Sequence, residues 1–195
     1  MDRTETIAVE RAREGDPEAF RELVERYSAK LFRLAWRITG DEQSAEDAVQ
    51  ETFLRAYRSL DRFDARSQFG TWLHRIAVNA ALDLARKQQR HRSRHTGRLD
   101  AAAGEDEPQL PSPAPGPDRI ALSLEVERAV RSAMGELSAM ERTAFVLRHF
   151  EGRSIADICD QLGLGASAGK QAIFRAVKKL RRVLEPLVLR QEVRL

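Results

Sequence analysis

Apolar residues recur at intervals of three and four along most of this chain. Phe20, Leu23, Val24, Tyr27, Leu31, Leu34, Ala35 and Ile38 form one such stripe, the mark of a helix with one face turned to a core. Asp16 before Pro17 supplies an N-cap and a first-turn proline, and Gly40 a C-terminal stop. A second stripe runs Ala45, Ala48, Val49, Thr52, Phe53, Ala56, Leu60, and a third Trp72, Ile76, Ala80, Leu84, ending in Arg86-Lys87-Gln88-Gln89-Arg90. No stretch alternates with period two, so no strands are expected.

The second half is helical as well. Ile120 to Leu137 is one amphipathic segment, and Ser138-Ala-Met-Glu141 has capping-box spacing and opens another that closes at Gly152. Ser154-Ile-Ala-Asp157 opens a short helix ending near Leu162. After Gly163-Leu164-Gly165, Ser167 is the expected cap of a basic helix running to about Leu184. A short helix, a tight glycine turn and a longer basic helix make the sequence form of a helix-turn-helix. Five of the seven prolines, Pro108, Pro111, Pro113, Pro115 and Pro117, lie between these halves beside Glu105, Asp106 and Glu107. That segment can neither continue a helix nor bury much apolar surface. The expected fold class is therefore all-α: two small helical domains, 1–91 and 119–195, joined by a flexible, acidic, Pro-rich linker at 92–118.

The 195 residues suffice for two such domains. One cysteine excludes a disulfide framework and a multi-cysteine zinc site. No apolar run is long enough to cross a bilayer and the N-terminus has no signal-peptide core, so a cytoplasmic address without membrane insertion is expected. Charge is unevenly placed. Residues 1–65 carry 11 Lys/Arg against 15 Asp/Glu, 66–98 carry 8 against 1, 99–127 carry 1 against 7, and 128–195 carry 13 against 7. Two basic blocks flanking an acidic one suggest two places where a polyanion binds.

The basic blocks differ in kind. On the last helix Ile173, Val177, Leu180 and Leu184 must face inward, which leaves Lys170, Gln171, Phe174, Arg175 and Lys178 outside. Side chains near the start of a recognition helix read base edges while flanking cations hold phosphates. In the first block Phe63, Phe69, Trp72, Arg75 and Asn79 lead into Arg86-Lys87. Rings beside cations suit single-stranded nucleic acid, on which a splayed base stacks, although Phe63 and Trp72 could equally be core. The helix around 45–58 presents Asp47, Gln50, Glu51, Leu54 and Arg58, a leucine within a polar face. Cys159 falls on the inner side of the short helix, where a tight helix crossing calls for a small residue. His91 and His95 share a helix face but lack a third ligand, so no metal or other cofactor is expected. No nucleophile with a base and no two-metal carboxylate cluster is found, which argues against an enzyme.

Two runs carry a resemblance. Ser44-Ala-Glu-Asp-Ala-Val-Gln-Glu-Thr-Phe-Leu-Arg-Ala-Tyr57 with Phe69-Gly-Thr-Trp-Leu-His-Arg-Ile-Ala-Val-Asn79 resembles the first domain of bacterial sigma factors. The helix-turn-helix with Ile173-Phe174-Arg175-Ala176 resembles their second DNA-binding domain. Two domains without further modules look like the extracytoplasmic-function class.

The resemblance implies a transcription initiation factor that binds core RNA polymerase, directs it to promoters and helps open the duplex. It implies polymerase contacts at Asp47, Gln50, Glu51 and Leu54. Capture of the melted near element would fall to Phe69, whose loop would form a base pocket, with Trp72, Arg75, Asn79, Arg86 and Lys87. The far element would be read as duplex DNA by Arg153, Ser154, Ser167, Lys170, Gln171, Phe174, Arg175 and Lys178. It further implies a sequestering anti-sigma factor and a linker threaded through the polymerase. One departure stands out. Many such sequences read Gly-Thr-Val-Lys-Ser-Arg at the start of the recognition helix, whereas this chain reads Ser167-Ala-Gly-Lys-Gln-Ala172. Gly169 there should cost up to ~1 kcal/mol of helix stability against alanine. The competing reading is a stand-alone helix-turn-helix regulator that binds operator DNA, which leaves the first domain without a task.

Overall fold

A computed structural model describes residues 3–64, 68–94 and 128–192, and among them there are helices and no strands. The first unit contains α1 (Arg3–Arg13), α2 (Pro17–Thr39), α3 (Glu42–Ser59), a 3-10 turn (Leu60–Arg62) and α4 (Phe69–Arg94). The second contains a helix over 128–135 (α5), α6 (Ala139–His149), α7 (Ile155–Leu162) and α8 (Ala166–Glu192). Chain contacts divide the molecule into Met1–Arg98 and Leu99–Leu195.

Local chemistry sets the helix ends of the first unit. The Asp16 carboxylate accepts the Glu18 and Ala19 amides at 2.9 and 3.3 Å, with Pro17 in the first turn. Gly40 ends α2 at φ 72°, its N–H donating to the Trp36 carbonyl at 2.7 Å. That left-handed backbone is open to glycine at no steric penalty. Asp41 then caps α3, accepting the Ser44 amide at 2.8 Å. Helices α2, α3 and α4 pack around Leu23, Ile38, Thr52, Phe69, Leu73 and Val78, all fully buried. Each large apolar side chain so buried contributes on the order of 1.5–3 kcal/mol.

Two features depart from the expected pattern. Helix α1 was not anticipated, yet it buries Ala8, Val9 and Ala12, and its Glu5 accepts a hydrogen bond from the Tyr27 hydroxyl. On α4 the core face is Leu73, Ala77, Val78, Ala81 and Ala85, so Trp72, Ile76 and Leu84 of the expected stripe lie at its margin, half-buried. A strict i, i+4 series drifts about 40° per step around a helix, and the large side chains drew the stripe off the alanines that carry the close packing.

The second unit closes on Ala133, Leu137, Ala176 and Leu180, flanked by Met134, Phe145, Val183 and Leu184. The expected capping box at Ser138/Glu141 is present, and Ser154, which opens α7 as expected, forms a second box with Asp157. Ser167 is not a cap: α8 starts one residue earlier, at Ala166. Helix α7 ends at Gly163, φ 63°, and α8 crosses it at Gly169. A Cβ at Gly169 would stand 2.3 Å from Cys159 Sγ. Cys159, 8% exposed, thus occupies the inner position expected of it, and the glycine that looked like a liability for α8 makes the crossing possible. Helix α4 continues to Arg94, three residues into the segment expected as linker; the rest of that segment, including Glu105, Asp106 and Glu107, lies outside the described residues, as do Ile120 to Glu127 and His95.

Candidate polymerase and nucleic-acid surfaces

On α3 the residues between the core positions form one outward line. Asp47, Gln50, Leu54 and Arg58 are exposed and Glu51 is half-buried. Glu51 Oε1 accepts Arg55 Nε at 2.6 Å, and Arg55 also lies 3.6 Å from Asp83 of α4. Leu54 is 43% exposed and Tyr57, one turn on, 56%. Tyr57 was missing from the expected contacts. Its spacing of three from Leu54 placed it on the same face, and its ring stands edge-on to Phe20 with centroids 5.0 Å apart. An exposed leucine–tyrosine pair flanked by charges is a docking surface in outline.

The placement of α3 is fixed from α4. Gln88 Nε2 donates to Asp41 Oδ2 at 3.1 Å and also bonds the Ser44 hydroxyl. Burial opposes ionisation of Asp41, but the Ser44 and Gln88 bonds prevail and hold its carboxyl below the usual range.

On α4, Trp72, Arg75, Asn79, Arg86 and Arg90 follow at helical spacing. Arg75, Asn79, Arg86 and Lys87 are exposed and Trp72 is half-buried. Phe69 is different. It is 0% exposed, with its ring 5.5 Å from Trp72, 5.7 Å from Phe63 and 5.8 Å from Tyr27. Its ring is core and props Trp72 from beneath, because the first turn of α4 points it into the bundle, whereas residues 65–67 of the adjoining loop expected to form the base pocket lie outside the described residues. Tyr27 lies so close to that turn that a Cβ at Gly70 would stand 2.8 Å from its Oη. Burial first, then the bond to Glu5, pushes the Tyr27 hydroxyl pKa up. Towards its end α4 opens into a shallow groove lined by Arg86, Gln89, Arg90, Ser93 and Arg94, a phosphate-attracting surface.

In the second unit α8 sorts its side chains into two faces. Lys170, Gln171, Phe174 and Lys178 are exposed, Phe174 by 67%. Arg175 is exposed with them, its side chain by 53%, and is tethered at one end: its Nε donates to Glu141 Oε1 at 2.9 Å. Ser167 is exposed in the first turn. The Ser154 hydroxyl is engaged in its own capping box, donating to Asp157 Oδ2 at 2.6 Å. Arg153 is half-buried in the α6–α7 turn, its carbonyl accepting Arg148 Nη1 at 3.0 Å.

No group of three or more His, Cys, Asp or Glu side chains among the described residues could hold a metal ion. No helix there is long and apolar enough to cross a membrane.

A three-helix core with an exposed leucine–tyrosine line and an aromatic-basic helix, accompanied by a helix-turn-helix, defines a class. Residues 23–91 match the sequence family described as sigma-70 region 2, and residues 127–180 that of sigma-70 region 4. The RNA polymerase sigma-H factor of Pseudomonas aeruginosa is 36% identical over 181 residues, 92% of this chain and 93% of that protein. The extracytoplasmic-function sigma factor SigW of Bacillus subtilis is 31% identical, over 92% of this chain and 96% of that one. The chain belongs to the RNA polymerase sigma factors of the extracytoplasmic-function class. Among solved structures, CnrH in complex with the cytosolic domain of CnrY matches with a TM-score of 0.60 at 29% identity, covering 94% of this chain and 98% of that one. The sigma factor RpoE bound to the anti-sigma factor NepR, from Bartonella quintana, shares the fold with a TM-score of 0.61 at 23% identity, over 85% of this chain and 96% of that one.

Proposed function

We propose that this chain is a transcription initiation factor that binds core RNA polymerase, brings it to specific promoters and assists duplex opening. The observation that carries the assignment is the pairing of two unlike nucleic-acid surfaces in one chain. Helix α4 offers a half-buried Trp72 beside exposed Arg75 and Asn79, and α8 offers Lys170, Gln171 and Phe174 at the start of a recognition helix. The first suits unstacked bases and the second a major groove. In this reading α3 docks on polymerase through Asp47, Gln50, Glu51, Leu54 and Tyr57. Trp72, Arg75, Asn79, Arg86 and Lys87 then take the melted near element. Lys170, Gln171, Phe174 and Lys178 read the far element, with Arg175 through its free end and Arg153, Ser154 and Ser167 at the phosphates.

The organisation proposed is a first domain at 1–91 with α4 running on to Arg94, a linker to 118 and a second domain at 119–195. The chemistry of initiation is the polymerase's, so the chain itself acts in the cytoplasm as a binding factor rather than an enzyme and needs no cofactor. One solved relative is captured with the anti-sigma factor NepR and another with the cytosolic domain of CnrY, and a sequestering anti-sigma factor belongs to the proposal.

The test is co-elution of the purified chain with bacterial core polymerase. A stoichiometric complex is expected, and Leu54→Asp should abolish it without loss of helicity, because Leu54 is outside the core. A folded chain that elutes alone beside a control sigma that binds the same core would favour the stand-alone regulator.

A further inference from the structure

The cations of α8 are not equivalent. Arg175, Lys179 and Arg182 (i, i+4, i+7) all meet acids from the α5–α6 turn and the first turn of α6. Arg175 Nε donates to Glu141 Oε1 at 2.9 Å, Lys179 Nζ to Glu141 Oε2 at 2.7 Å, and Arg182 Nη2 to Glu136 Oε2 at 2.7 Å. Lys170, Lys178 and Arg181, on the neighbouring line, have no carboxylate partner among the described residues. Fixed partnering thus divides one basic helix into a neutralised face and a free one.

Glu141 is the centre of the neutralised face. Its side chain is 7% exposed. It is held from its own helix as well, with Oε2 accepting the Ser138 amide at 3.0 Å while Ser138 Oγ accepts the Glu141 amide at 3.2 Å. Burial alone would raise its pKa, yet the bonds from Lys179, Ser138 and Arg175 hold it at about 2. The carboxylate is therefore charged at neutral pH, and the bonds from Lys179, Ser138 and Arg175 pin it. It grips Arg175 by Nε, so the terminal Nη1 and Nη2 remain as a forked donor pair at a fixed place on the half-exposed side of α8.

Resting on the reading of α8 as the far-element helix, we propose that Glu141 is a positioning residue for promoter specificity. It presents the Arg175 fork to a base edge in one orientation and withdraws the charges of Arg175 and Lys179 from general phosphate attraction. A guanidinium held in place loses less freedom on making a bidentate contact than one on a free side chain. A cation already paired adds little to counterion release, which scales with the phosphates neutralised. Glu141 thereby lowers affinity for all DNA while raising discrimination at one base pair.

The experiment uses holoenzyme assembled from the full chain and bacterial core polymerase, and a duplex library randomised over both promoter elements. Sequences enriched by the unaltered chain define the far element. Glu141→Gln, which keeps the length and the capping acceptor, is expected to flatten preference at one base pair by on the order of tenfold. It should also raise retention of scrambled duplex and steepen the dependence of log affinity on log salt by about 1 to 2. Arg175→Ala should flatten the same base pair, and Glu141→Gln should change that preference no further once Arg175 is gone. Such non-additivity is what a role through Arg175 requires, and a general weakening of the fold would not produce it. If Glu141→Gln melts below the assay temperature, Glu141→Asp keeps charge and cap but falls one methylene short of Arg175, and it should flatten the same position.

Failures of the two readings separate. Enrichment of no far-element sequence by the unaltered holoenzyme would remove the recognition-helix reading itself. A flattened base pair in Arg175→Ala with unchanged preference and salt slope in Glu141→Gln would overturn only the role of Glu141. Arg175→Ala without effect on any base pair would overturn it too.

Discussion

Gly169→Ala is expected to destabilise the second unit, although the same exchange inside a helix ordinarily stabilises. Alanine gains about 0.5–1 kcal/mol over glycine in a helix interior. Here the added methyl would stand 2.3 Å from Cys159 Sγ, well inside contact distance. Cys159 is 8% exposed, and its thiol points towards the Gly165 carbonyl at 3.7 Å, so its sulfur must rotate into packed surroundings or α8 must lift from α7. Overpacking of this kind costs about 1–3 kcal/mol, which over most of that range exceeds the helix gain and leaves a net loss of up to about 2.5 kcal/mol. Cys159→Ala removes the obstructing sulfur. In that background Gly169→Ala should recover its ordinary sign and stabilise by about 0.5–1 kcal/mol, so that the pair couples by the overpacking cost, about 1–3 kcal/mol. Both tryptophans, Trp36 and Trp72, lie in the first unit, so fluorescence does not report on this change. Hydrogen exchange of the most protected α7 and α8 amides in the full chain does. Stronger protection for Gly169→Ala in the natural background, or the same sign in both backgrounds, would refute the argument.

The Glu141 carboxyl, held at about 2 against an ordinary 4.5, makes the second unit acid-sensitive. A depressed folded pKa contributes stability that is complete above about pH 4.5 and lost as pH falls towards 2, by roughly 2–3 kcal/mol. The urea midpoint of the natural chain should therefore fall across that window relative to Glu141→Gln, and parallel curves would contradict the ion triad. Asp41→Ala removes both the α3 cap and the Gln88 anchor. The first unit should lose about 1–2 kcal/mol, read as a lower urea midpoint by tryptophan fluorescence, with Asp41→Asn recovering most of it; an unchanged midpoint for Asp41→Ala would show that the cap contributes nothing.

The extent of α2 and the start of α7 were legible in the sequence because their signals are local. Asp16-Pro17, Gly40 and the Ser154-to-Asp157 box act within a few residues of themselves, and a side chain bonding a neighbouring amide depends on nothing farther off. The same holds for the outward line on α3 and for Lys170, Gln171 and Phe174 on α8, since helical period alone separates them from the core. What sequence reasoning missed depended on distant partners. Helix α1 is marked only by small residues and gains its place through Glu5 and Tyr27, 22 positions apart. The Phe69 ring reads as part of a nucleic-acid surface but is enclosed once Tyr27, 42 residues earlier on α2, closes over it beside Phe63 and Trp72. Arg175 and Lys178 are alike in sequence, and only the approach of Glu141, 34 residues before Arg175, makes one a held fork and the other a free cation. Gly169 reads as a weak point in α8 until α7 lays Cys159 against it. Period and capping are properties of a segment and can be read from it, whereas burial, close approach and charge pairing belong to surfaces that exist only once the helices have packed.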